Sequence, residues 1–324
     1  MSNTSSQSVR EVLGQMAELI TRTARGSTRE DGFFLACVRA ALSKNFEINT
    51  FIHNHKPGVH DFAVTASLRG VCEDIIALRF IATFTKEHRE EAVAVLMLKS
   101  VMELMQEQTK FFEKYRPSQP ILEAKDVATE IHNLRLRLRQ MRKSYRWKKH
   151  REWPSVQEMA DFTGLRPLYD FLYAATSCFV HFSPSNLIRM GAVDAEQLKF
   201  STANFTEYYA AFNRFYGLFL LITFCTKFSA MLGIKQEIQP SVEKLMKHLD
   251  EELRWPELIT IEELNVPSVS RMLRMMAHNA RKAVEAPAVW AWDDAEPQPL
   301  QTPVLPGAAG DDELDEEDGD ARAD

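Results

Sequence analysis

Apolar residues return every three or four positions through most of this 324-residue chain, a spacing that gathers them on one face only in a helix. Val9, Val12, Leu13, Met16, Leu19 and Ile20 form one such stripe, and a second helix is expected over 31–44. The stretch 45–57 is polar and His-rich and reads as a loop. Phe62, Leu68, Val71, Cys72, Ile75, Ile76 and Phe80 predict a long helix over 60–84. Another spans 87–115 and stops ahead of Pro117, because the residue before a proline disfavours helical backbone. Over 121–149, Val127, Ile131, Leu134, Leu138, Met141 and Tyr145 share one side of a mostly charged, amphipathic surface helix. Ser155 is placed to cap a short helix that Gly164 ends, and 167–180 follows. The segment 204–232 is the most apolar and is expected at the centre of the core, with further helices over 241–253 and 268–284. No strand alternation of useful length is visible. The expected fold is all-α, a multi-helix bundle with a disordered acidic C-terminal tail.

The tail expectation comes from composition. From 285 onward the chain turns to Pro, Ala, Gly and acid, too little apolar surface to order itself. The organisation that follows is accessory helices and the His-rich loop over 1–57, a helical core over 58–284, and the tail over 285–324. Net charge is -6, but residues 311–324 hold nine acids and one arginine, leaving +2 on the rest. The tail and the basic stretch 135–151 are opposite in sign and about equal in size, so the tail is a candidate competitor for that stretch. Cys37, Cys72, Cys178 and Cys225 are far apart, without a C-x-x-C pair, and read as small core residues of a reducing compartment. The first residues lack a secretory apolar region, and the run 215–226 is too short to span a bilayer. A cytoplasmic protein without membrane contact is the expectation.

The candidate chemistry centres on 169–186, YDFLYAATSCFVHFSPSN. Tyr169, Tyr173, Ser177 and His181 are four apart and fall in one row of a helix. Ser183-Pro184 then signals a second helix start, whose free N–H groups favour an anion. Arg69 and Glu73, also four apart, lie among Leu68, Val71, Cys72, Ile75 and Ile76. Charge in so apolar a setting calls for polar partners, and Tyr173, Ser177 and His181 are the natural ones. Two readings stay open: a structural network that fixes helix register, or a site in which Arg69 binds an anion, His181 moves a proton and Glu73 orients one of them.

A second candidate is the basic helix. Between Arg135 and Arg151 nine positive charges occur without an acid among them, and Arg135, Arg139, Arg142 and Arg146 share a side with Trp147 close by. Clustered arginine with aromatics suits phosphate contact and base stacking, so RNA or DNA is a candidate partner. The bland reading is a solvated face. His53, His55 and His60 with Asp61 form H-x-H-x4-H-D, a weak zinc-type pattern matching no named motif, so the expectation is no metal and no cofactor. Walker loop, dinucleotide fingerprint and nucleophile elbow are all missing, which leaves ATP hydrolysis, dinucleotide redox and conventional hydrolase chemistry without support.

The segments SLRGVCEDIIALRFI and WPSVQEMADFTGLRPLYDFLYAATSCFVHFSPSNLIRM carry a resemblance. An Arg-x-x-x-Glu helix, a tryptophan before a short helix and a Tyr-rich helix with Ser-x-x-x-His-x-Ser-Pro together resemble the bacterial family called domain of unknown function 5677, over about 62–190. The resemblance implies an all-helical domain and no established activity. A looser similarity is to HEPN helical domains, many of them metal-independent ribonucleases with an Arg-x(4–6)-His motif. Ala174 stands where related sequences carry an arginine, and a separate Arg-x(6)-His match falls at Arg271 and His278. The leading expectation is a cytoplasmic protein acting on or near nucleic acid, and the looser similarity implies a metal-independent, RNase-like or defence- or toxin-type role. The alternative is a non-catalytic scaffold or protein-interaction module, self-associating or bound to another protein, whose Arg69, Glu73 and His181 only lock helices together.

Overall fold

The computed structural model describes residues 3–26, 28–121, 127–145, 147, 151–181, 183, 190–194, 197–252 and 254–258. The chain divides into two units, Met1–Leu273 and Arg274–Asp324, and all described residues lie in the first. The expected helix over 268–284 and the acidic tail therefore fall outside the described residues.

Nine helices are found among the described residues: α1 (Asn3–Ala24), α2 (Thr28–Asn54), α3 (His60–Ile81), α4 (Lys86–Tyr115), α5 (Val127–Tyr145), α6 (Val156–Thr163), α7 (Arg166–Val180), α8 (Thr206–Phe228) and α9 (Lys235–Asp250). The fold is all-α, a multi-helix bundle. One short hairpin interrupts it, β1 (Gly191–Asp194) against antiparallel β2 (Gln197–Phe200). Four-residue strands show only two periods of alternation, which is why the sequence pattern does not reveal them.

Helix α8 is apolar all round and lies at the centre, with α2, α3 and α9 against it. Its Phe212, Leu218, Leu221, Phe224 and Phe228 have at most 1 % of their surface exposed. Each such side chain contributes about 1.5–3 kcal/mol on burial. Val9, Met16 and Ile20 of α1 and Val38 and Leu42 of α2 join the same apolar core, so the segment 1–57 shares its core with the helices beyond it. No described helix is long and apolar enough to cross a membrane. Cys72 and Cys225 are buried, as small core residues should be, and burial pushes their thiols up to about 12. Cys37 differs from expectation and is exposed.

The largest departure from the sequence pattern is α2, which continues ten residues beyond 44. Asn45, Asn49 and His53 are four apart, at most 1 % exposed, and face the core instead of solvent. Asn49 Nδ2 donates to the Asn45 carbonyl and to Asn45 Oδ1, both at 2.9 Å, so the helix itself meets part of their polar demand. Gly217 of α8 makes room for them: a Cβ there would stand 2.9 Å from Asn49 Oδ1. A neighbouring polar link ties α3 to α8. Asn213 Nδ2 donates to the Asp61 carbonyl (2.8 Å), and Asn213 Oδ1 accepts from the Thr65 hydroxyl (2.9 Å). Polarity alone reads 45–57 as a loop; burial against α8 makes most of it helix.

Helix termini are set by local chemistry. Gly32 takes φ 77° and breaks the helical path early in α2, and the Glu90 carboxylate of α4 accepts from the Phe33 and Phe34 amides beyond it (2.6 and 3.2 Å). Ser155 and Glu158 form a capping box on α6, and Gly164 ends it at φ 70°. Helix α9 starts six residues before the expected 241, because Pro240 gives up only one backbone bond and buried Ile238 holds the first turn down.

Candidate functional site

Helices α3 and α7 run antiparallel. Phe62 meets Phe179 at one end of the pair (centroids 4.8 Å apart), and Arg69 meets Tyr173 further along. On the α3 side, Arg69 Nε donates to Glu73 Oε1 at 2.7 Å, the i,i+4 geometry their spacing predicts. The Arg69 guanidinium lies 4.5 Å from the centre of the Tyr173 ring, a cation–π contact. Tyr169 packs beside it, its ring 5.5 Å from that of Tyr173. The result is a four-residue clamp of Arg69, Glu73, Tyr169 and Tyr173 joining the two helices. Arg69 and Glu73 are 22 % and 29 % exposed, partly buried as their apolar surroundings require. The hydrogen bond to Glu73 raises the arginine's pKa, and partial burial followed by the Glu73 charge raises that of Tyr169. These effects hold the arginine ionised and the Tyr169 phenol neutral.

Ser177 and His181 continue the row beyond the clamp, toward the C-terminal end of α7. His181 is the C-cap of α7, in extended backbone (φ −112°, ψ 158°), and its N–H donates to the Ser177 carbonyl at 3.0 Å. Its side chain is exposed. Eight residues of helix separate it from Tyr173, a rise of about 12 Å. The imidazole thus stands at the Phe62–Phe179 end of the helix pair, a helical span away from the arginine expected to share its work. Ser183 is partly buried, while the helix start expected from Pro184 lies outside the described residues.

The basic helix α5 is matched by acids of neighbouring segments. Arg135 lies 3.4 Å from Glu152 and 3.8 Å from Glu103, Arg139 3.7 Å from Glu152, and Arg137 3.0 Å from Glu91. Arg142 is partly buried, and Arg146 lies outside the described residues. Trp147 departs from the expected stacking platform. Its ring packs into an aromatic cluster with Phe84 (6.3 Å, stacked), Phe80 (6.2 Å) and Trp153 (5.3 Å), where it holds the end of α5 on the core. Tyr145 belongs to the same cluster, stacked on Phe84 at 3.9 Å, and its hydroxyl accepts from the Thr85 amide (3.0 Å) at the start of α4.

The three histidines of the weak metal pattern separate. His53 has 0 % exposure, inside α2, while His55 and His60 lie near the surface with rings 5.5 Å apart. Among the described residues no three His, Cys, Asp or Glu side chains converge as a metal would need. Desolvation, then the Arg214 charge, pushes His53 down to about 3, so it is neutral at ordinary pH.

Sequence reasoning did not single out the outer half of α4. Met97, Leu98, Val101, Leu104, Phe111 and Tyr115 are all exposed, Leu104 at 67 % and Tyr115 at 58 %. The signal was present as a second apolar seam, beside Met102, Met105 and Phe112, which are half-buried. Helix α4 packs on α2 and α5, and this seam is covered by neither.

No curated protein and no solved structure matches the chain. Residues 35–197, half of the chain, match a family described as of unknown function, DUF5677. The matched segment takes in the clamp, α4 and α5, and stops short of α8. With the Arg69–Glu73 helix, Trp153 and the Tyr-rich α7 all inside that segment, the chain belongs to the DUF5677 family.

Proposed function

We propose that this protein is a non-catalytic helical interaction module, presenting the outer half of α4 to a protein partner. The exposed apolar stripe from Met97 to Tyr115 carries this reading. Six large apolar side chains on one helix, each roughly half in solvent, amount to on the order of 600 Å², the size at which a surface patch on a monomer is commonly functional. The clamp supports it from the other side. Arg69 is engaged by Glu73 and Tyr173, and its chemistry serves to join α3 to α7. A general acid must come within hydrogen-bond reach of the group it serves, and His181 stands about 12 Å of helix from Tyr173.

The test pairs two assays. At dilutions that leave the stripe uncovered, an apolar fluorescent dye should bind the purified protein and lose most of its signal in Leu104→Glu/Phe111→Glu at unchanged helix content. RNA and DNA incubated without added metal should remain intact. Cleavage that disappears in a folded His181→Ala variant would sink the reading and establish a nuclease instead.

A second reading rests on α5. Arg135, Arg137 and Arg139 are about half exposed, and their ion pairs at 3.0–3.8 Å are of the exposed kind, worth about 0–1 kcal/mol each. Phosphates could exchange with those carboxylates at little cost. Nucleic-acid contact through α5 predicts binding that falls steeply with salt and is lost in Arg135→Ala/Arg137→Ala/Arg139→Ala. Equal retention of RNA by that variant and the parent would exclude it.

A further inference from the structure

We infer that the occupant of the α4 stripe is a second copy of this chain, docked antiparallel; this rests on the interaction-module reading. The spacing is the first ground. Ala94, Met97, Val101, Leu104, Gln108, Phe111 and Tyr115 alternate steps of three and four, the a/d repeat of a coiled coil, and those from Met97 onward are exposed. A surface meant for an irregular partner has no need of such regularity along five turns.

Self-complementarity is the second ground. Turned end for end about a two-fold axis near Gln106, the stripe lands on itself: Met97 opposite Tyr115, Val101 opposite Phe111 and Leu104 opposite Gln108 of the other copy. Met97 meets the larger Tyr115 and Val101 the larger Phe111, which fills those layers evenly. Gln108 is the one polar residue among the exposed positions of the seam, a place where a polar group sets register and orientation at some cost in stability. Both copies use the same patch, as a two-fold interface requires.

Charge and area agree. Between Met97 and Tyr115 there are three lysines and three glutamates, so the flanks carry no net charge to demand a strongly basic or acidic partner. Lys99–Glu103 and Lys110–Glu107 are paired within the helix at 2.7 Å. At the axis Glu107 meets its own counterpart, each already neutralised by Lys110. On the order of 600 Å² per copy makes about 1,200 Å² in all, the lower bound for a specific interface. The dimer is therefore expected to be reversible.

Sedimentation of the full chain over a range of micromolar concentrations tests this. A concentration-dependent dimer is expected, weakened about a hundred-fold or more in Leu104→Glu/Phe111→Glu, which places charges in the seam. Both positions are exposed in the monomer, so helix content and melting temperature should hold. In a Cys37→Ser background, Glu107→Cys should oxidise to a covalent dimer through the axis, whereas Met97→Cys should not. A wild-type monomer at all concentrations would overturn the proposal, as would a dimer that survives the double variant. A monomer whose stripe still binds the dye leaves the interaction-module reading standing and removes only the second copy. A monomer whose α4 amides are protected only when residues 261–284 are present would assign the stripe to the chain's own C-terminal segment.

Discussion

Replacing Arg69 by Met keeps most of the aliphatic stem and removes the charge, which isolates what the clamp does. Three terms can be read from the geometry. The Arg69–Glu73 pair is an i,i+4 contact on a partly exposed helix surface, worth about 0.3–0.5 kcal/mol. The cation–π contact with Tyr173 at 4.5 Å adds about 0.5–1 kcal/mol. Glu73 left alone at 29 % exposure retains water, so its desolvation cost stays small. Together the variant should lose about 1–2 kcal/mol, a fall in melting temperature of about 3–6 °C for a domain of this size. Denaturant titration followed by circular dichroism measures the loss. A double-mutant cycle of Arg69→Met with Tyr173→Leu should return a coupling of about 0.5–1 kcal/mol, because the guanidinium lies over that ring. His181→Ala should change stability by less than about 0.5 kcal/mol and show no coupling to Arg69. If Arg69→Met leaves stability unchanged, or couples to His181 and not to Tyr173, the clamp is not what joins α3 to α7 and the interaction-module reading loses a support.

The remaining expectations concern the core. Because burial holds His53 near 3 in the fold while an unfolded histidine titrates near 6.5, the unfolded state takes up the proton first. Stability should therefore be complete above about pH 6.5 and fall toward pH 3 by up to about 1.4 kcal/mol per pH unit, a slope that flattens in His53→Leu; an identical slope in that variant would assign the acid lability elsewhere. Glu90→Ala removes the carboxylate that accepts from the Phe33 and Phe34 amides and should cost about 1–2 kcal/mol in urea titrations, with faster amide exchange at those two residues. Gly217→Val presses two methyl groups toward Asn49 Oδ1 and Ile52, so the overpacking cost of about 1–3 kcal/mol outweighs the gain in helix propensity; a variant more stable than the parent would show that α2 and α8 are not in close approach there.

What local chemistry decides was legible along the chain. Helical periodicity, the Ser155 cap, the Gly164 stop and the Arg69–Glu73 pair all depend on residues within one or two turns, and each stands where its spacing puts it. Membership of the family was equally legible, since its motifs are short and ordered along the chain. Tertiary structure decided the rest. Asn45, Asn49 and His53 look like loop residues until α8 supplies a wall with Gly217 in it, and no local pattern announces that wall. Trp147 looks like a base-stacking ring beside arginines until Phe84 and Trp153 enclose it. A row spaced by fours shows that Tyr173 and His181 share a helix face, yet the same spacing sets them about 12 Å apart along its axis. Whether Arg69 meets one or the other depends on where α3 crosses α7, and that crossing belongs to side-chain packing over the whole core. The outer half of α4 follows the same logic: its apolar repeat is written in the sequence, but only the packed bundle decides which of its seams remains uncovered.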